Sequence, residues 1–152
     1  MGIFSSKKKA FFSEIEQARV VQAITLAEKE TSGEIRIYVE ERNPLVDPLE
    51  RAAEIFLKLE MQNTKHRNAV LLYIAMKDHE LALFGDEGIH SRVGGEYWET
   101  SVKKMISQFT NQHIVTGIEQ CIYQVGQTLK ETFPYDPSTD KNELPNDIVF
   151  GE

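Results

Sequence analysis

An unbroken apolar run, Ala69–Ala75, follows Arg67 and Asn68 and is rich in β-branched and large side chains. That is the pattern of a strand covered on both faces. The break that follows, Met76-Lys77-Asp78-His79, is too short for a helix, and residues 81–84 form a second apolar run that closes on Gly85. Two such runs around a tight polar loop predict a β-hairpin, and therefore an antiparallel pair over 69–75 and 80–85. Upstream the period lengthens. Ser13 and Glu16 form a capping-box pair opening a helix to about residue 30, with Val20, Ile24 and Ala27 as its apolar stripe. Thr31-Ser32-Gly33 stops it, with Gly33 expected in the left-handed position that ends many helices. Residues 34–41 alternate, placing Ile35, Ile37 and Val39 on one face and Arg36, Tyr38 and Glu40 on a wetter one. Asp47-Pro48-Leu49-Glu50 combines an N-cap, a first-turn proline and an acid three residues on, so a helix starts there. Leu49, Ala52, Phe56 and Leu59 keep helical spacing to about residue 61.

Residues 34–72 thus read as strand, helix, strand, a unit that closes as a right-handed crossover with parallel strands. Beyond Gly94-Gly95 a helix is predicted over 96–109, with Trp98, Val102, Met105 and Phe109 inward. A last one spans 113–133 with Ile114, Gly117, Ile118, Cys121, Ile122, Val125 and Leu129 as its stripe, and Pro134 ends it. The expected fold class is α/β: a three-layer αβα sandwich with a small mixed sheet of about four strands. A flexible basic leader occupies 1–12, the domain 13–134, and a polar tail 135–152. The tail ends on the apolar triplet Ile148-Val149-Phe150, suited to docking as a short edge strand.

Composition narrows the partners. At 152 residues the chain suits one domain, and a net charge of −7 argues against nucleic acid, whose phosphates need a basic face. Lys7-Lys8-Lys9 is read as a solubilising run, and Met1-Gly2 opens a short myristoylation-like pattern that recurs by chance. A single cysteine, Cys121, excludes a disulfide framework, and its place on an apolar face suits a buried thiol rather than a nucleophile. No stretch approaches the roughly 20 apolar residues of a membrane span. The expectation is a monomeric cytoplasmic protein.

Sorting the strand ends brings Glu34, Asn68 and the pair Asp86-Glu87 to one end of the sheet, with Glu96 nearby in sequence. Glu40, Glu41, Asp47, Asp78 and His79 gather at the other. Open α/β sheets usually bind ligands beyond the carboxyl ends of their parallel strands, which favours the second group. The first has carboxylates from separate segments flanked by glycines, which an oxygen-ligated cation requires. Each of these residues also has an ordinary alternative as strand flank, turn brace or helix-start acid. Arg67 and His66 suit either contact with a phosphate or, the favoured reading, a solvated pair of cations.

In that order, Thr31-Ser32-Gly33-Glu34-Ile35, Arg67-Asn68-Ala69-Val70-Leu71-Leu72 and Phe84-Gly85-Asp86-Glu87-Gly88-Ile89 resemble the TPM domain family. That family is named for a thylakoid-lumen phosphatase-like protein and its membrane-bound relatives. The resemblance implies an αβα sandwich, a divalent-metal site, often for calcium, and acid-phosphatase activity in some members. Ala69 stands where the family usually has glycine, and Asp86 adds an acid that it usually lacks. On the resemblance, the metal candidates are Asp86, Glu87, Glu34, Asn68 and Glu96, and the cation Ca²⁺, or Mg²⁺ or Mn²⁺. Two functions follow: a metal-responsive binding or regulatory module with an unidentified protein partner, or a weak metal-dependent phosphomonoesterase.

Overall fold

The computed structural model describes residues 11–45, 47–110, 113–137 and 144–151. Helix α1 (Glu14–Glu28) starts at the expected capping box: the Ser13 hydroxyl accepts from the Glu16 amide at 3.1 Å, and the Glu16 carboxylate accepts from the Ser13 amide at 2.9 Å. Strand β1 (Glu34–Glu40) leads to α2 (Pro48–Lys58), which the Asp47 side chain caps through the Leu49 amide at 2.9 Å. Strands β2 (Ala69–Ala75) and β3 (Glu80–Gly85) form the hairpin. Three helices follow, α3 (Glu87–Val93), α4 (Gly95–Thr110) and α5 (Ile114–Thr132), and then the short strand β4 (Val149–Phe150). The sheet order is β3-β2-β1-β4, with β1 parallel to β2 and to β4, and β3 antiparallel to β2.

Pleating splits the core in two. Ile35, Ile37, Val39, Val70, Leu72, Ile74, Leu81 and Leu83 face the layer built from α1, α4 and α5, where Val20, Ile24, Met105, Ile118, Ile122 and Leu129 are buried. Tyr38, Ala69, Leu71, Tyr73, Ala75 and Ala82 face α2, which contributes Ala52, Ile55 and Phe56. The three-layer α/β sandwich with a mixed four-stranded sheet is therefore present.

Several expectations change. The wetter face of β1 is dry, because α2 and the returning tail cover it: Arg36 is 8% exposed and Glu40 6%. Gly33 is not left-handed; α1 stops short of it, and a Cβ there would collide with Leu129. Residues 87–93, to which the sequence assigned no element beyond a helix-start acid, form α3, its acid-capped start set by Asp86. Leu49, on the apolar spacing of α2, is half exposed. Phe12, placed in the leader, is buried, and Phe11 stacks on Phe150 with ring centroids 6.4 Å apart, so the packed chain begins before Ser13. The expectations for residues 1–10, 111–112 and 138–143, and for the Phe109 side chain, lie outside the described residues.

Candidate functional site

The antiparallel register of β2 and β3 continues past the strands. The Asp86 amide donates to the Ala69 carbonyl at 2.9 Å, and the Gly88 amide to the Arg67 carbonyl at 2.8 Å. Arg67 thereby lies across from the start of α3, its backbone in the left-handed region at φ 51°. Its guanidinium donates to Asp86 twice, from Nε at 2.7 Å and from Nη2 at 2.8 Å, and to Glu87 from Nη1 at 3.1 Å. Asp86 meanwhile caps α3, accepting from the Glu87 amide at 2.8 Å. Two carboxylates thus converge on one cationic group. The hydrogen bonds to Asp86 hold the Arg67 guanidinium above its ordinary pKa, against an opposing desolvation effect. Exposure differs sharply within the cluster: 5% for the Asp86 side chain, 41% for Arg67 and 73% for Glu87. Asp86 is a buried anchor, and Glu87 is an exposed arm.

The other residues named from sequence reach the same end of the sheet and turn elsewhere. Glu34 is in register with Ala69, one residue past Asn68, so the two side chains leave opposite faces. Glu34 is buried and accepts from the Leu144 amide at 2.9 Å. Asn68 is fully buried; its amide nitrogen donates to the Ser32 hydroxyl at 3.2 Å, and among the described residues its side-chain carbonyl oxygen accepts no hydrogen bond. Glu96 is exposed in the first turn of α4. Among the described residues, no three His, Cys, Asp or Glu side chains form a group able to hold a metal ion.

At the opposite end the carboxylates are committed to structure. Arg51 grips Glu40 at 2.8 and 2.9 Å, and the Tyr73 hydroxyl donates to the same carboxylate. Burial, and then the Glu40 carboxylate, push the Tyr73 phenol well above its usual range. Asp78 accepts from Arg42 at 3.1 Å and from the Asn43 amide at 2.7 Å, while Glu41 pairs with Lys77 at 2.5 Å. Cys121 is buried, and desolvation pushes its thiol up to about 12, so it supplies no thiolate near neutrality.

Sequence reasoning missed Arg67 as the partner of Asp86. The signal was available in the hairpin register, which counts outward from the loop at 76–79 to set 67 beside 88. His66 lies against the Phe133 ring, with centroids 6.2 Å apart.

The TPM domain profile matches residues 5–128. Among solved structures, the chain is 37% identical to the BA42 protein of the psychrophilic bacterium Bizionia argentinensis, at a TM-score of 0.84, covering 93% of this chain and 96% of that one. The N-terminal domain of a P. gingivalis protein gives a TM-score of 0.65 at 14% identity, over 80% of this chain and 78% of that one. The N-terminal domain of the cg2496 protein of Corynebacterium glutamicum gives 0.61 at 9% identity, over 91% and 80%. These last two share the fold alone. No curated protein matches the chain.

Proposed function

The chain belongs to the TPM domain family, and from that premise we propose that it is a binding and regulatory module controlled by a divalent cation at the β3–α3 junction. The observation that carries this reading is the single guanidinium shared by Asp86 and Glu87. A position that attracts one cation to two carboxylates suits another, and an all-oxygen donor set suits Ca²⁺, then Mg²⁺ or Mn²⁺, over zinc or copper. Glu34 and Asn68, which turn to Leu144 and Ser32, and the exposed Glu96 are left outside this donor set. With two protein carboxylates and solvent completing the shell, affinity belongs to the weak, millimolar class. A cation taking the place of Arg67 would free the guanidinium and reset the exposed Glu87 arm, which is how a junction of this kind transmits binding.

The phosphomonoesterase reading has less support. It needs a nucleophile or an activated water and cations free to clamp a phosphate. The Arg67 guanidinium is already bridged to two carboxylates, and the Cys121 thiol is buried.

Thermal unfolding in EDTA and in millimolar Ca²⁺ tests the proposal. Calcium should raise the midpoint, by the equivalent of about 0.4 kcal/mol at a concentration equal to Kd and about 1.4 kcal/mol at ten times Kd. Asp86→Asn with Glu87→Gln should abolish the shift, and Arg67→Gln should enlarge it by removing the competing cation. Identical melting of the wild type in both buffers would end the cation reading. Turnover of p-nitrophenyl phosphate that disappears in the double variant would replace it with hydrolysis.

A further inference from the structure

Strand β3 ends the sheet, and among the described residues its outer edge has no neighbouring strand. The direction of its free backbone groups follows from the register. Opposed residues in an antiparallel pair alternate between exchanging hydrogen bonds and not exchanging them. Because Asp86 bonds to Ala69, the residues of β3 that bond to β2 are Glu80, Ala82 and Phe84. The N–H and C=O groups of Leu81, Leu83 and Gly85 therefore point outward, at the two-residue spacing that an added strand would match.

This edge is flanked and, among the described residues, left open along its length. Two adjoining hollows, of about 270 Å³ and about 480 Å³, run beside it between the start of α2 and the face of α4. Both are lined by Leu49, Leu83, Trp98 and Glu99. Leu49 is 50% exposed at this rim, which is why its place on the apolar stripe of α2 looks misspent in the isolated chain. Natural edges are usually blunted by a proline, a bulge or an outward lysine. β3 is six residues long, in unbroken register with β2, and contains neither proline nor lysine.

We propose that this groove binds an extended peptide segment of another protein as a fifth strand, its side chains alternating between apolar and basic. Backbone pairing to Leu81, Leu83 and Gly85 supplies the docking geometry, and the wall on the Trp98 side, the face of Leu81 and Leu83, takes the apolar side chains. Charge selects the partner. Asp47, Asp86, Glu87 and Glu99 line the hollows, and Lys103 in the lining and Arg67, which pairs with Asp86 and Glu87, offset only part of that charge, so basic side chains are attracted. A second copy of this chain would bring the same acidic rim against its own, which disfavours pairing of two β3 edges. The inference goes beyond the cation reading and does not depend on it.

The test is carried out in EDTA, so that its outcome is separate from that of the calcium experiment. A fluorescein-labelled dodecapeptide of alternating lysine and valine is titrated with the protein by anisotropy. An unlabelled copy is followed through the emission of Trp98, the sole tryptophan. Saturable binding with a shift in Trp98 emission is expected. Affinity should fall at least tenfold when alternate peptide nitrogens are methylated, since those N–H groups would pair with the edge carbonyls. It should fall similarly for a glutamate–valine peptide and for the exposed-site variant Glu99→Lys, with circular dichroism confirming that the variant folds. Equal binding of the methylated peptide would overturn strand addition, as would unchanged Trp98 emission or no saturation. Concentration-dependent dimerisation that Glu99→Lys alters would instead assign the edge to a second copy and overturn the proposal.

Discussion

A Cβ placed on Gly88 would run into the carbonyl oxygens of His66 and Arg67, whereas one on Gly95 would meet nothing within 4 Å. The first glycine is what lets the start of α3 approach the backbone before β2 closely enough for Arg67 to reach Asp86. Gly88→Ala should therefore destabilise the protein by about 1–3 kcal/mol, the usual cost of forcing atoms into a filled space. Gly95→Ala should stay within about 0.5 kcal/mol of wild type. Urea denaturation of both variants checks this, and equal midpoints would show that the β2–α3 approach is looser than described. Residue roles set by immediate neighbours were legible: Ser13 and Asp47 cap the helices that their spacing announced. Roles set by distant partners were not. Gly33 was read as a helix terminator, but it is small because Leu129, far along the chain, packs over it.

Helix α4 is held to the sheet through Trp98, which is 7% exposed and donates its indole N–H to His90 Nδ1 at 3.0 Å. The indole lies so close over Gly85 that a side chain there would collide with it. Replacing Trp98 with alanine should cost about 3–5 kcal/mol, as for other buried aromatics. An unchanged denaturation midpoint would mean that α4 finds another seat on β3. The apolar stripes of α1, α4 and α5 could be read from spacing because one helix face must be apolar wherever it packs. Helix α3 could not, since seven residues opened by an acidic cap carry too short a period to distinguish from a turn. Likewise the polar alternation of β1 was real, but it did not show that the polar face is covered. Glu40 faces the buried layer only because Arg51, on α2, is there to pair with it.

The two ends of the described chain meet at the β4 edge of the sheet. Val149 and Phe150 pair with Tyr38 and Val39, the Gly151 amide donates to the Val39 carbonyl at 2.8 Å, and Phe11 stacks on Phe150. Deleting 148–152 should remove the buried Ile148 and bare the β1 edge, costing at least about 1.5 kcal/mol, the lower figure for burying such a side chain. It should also promote association through the open edge. Denaturant titration and sedimentation at two concentrations would show both effects, and a truncated chain that is equally stable and monodisperse would show β4 to be dispensable. The sequence by itself determined the hairpin, the crossover, the layer order and the end of the sheet to which Glu34, Asn68, Asp86 and Glu87 are delivered. Periodicity and strand direction are local properties, and they compose into a topology without knowledge of contacts. Tertiary structure alone decided which side chains meet there. A residue's position at a strand end leaves its face, its rotamer and its counter-ion open, and these follow from packing across the sheet. Asp86 and Glu87 share Arg67, Glu34 turns to Leu144, and Asn68 turns to Ser32, because each buried polar group takes the partner that the folded chain brings within reach.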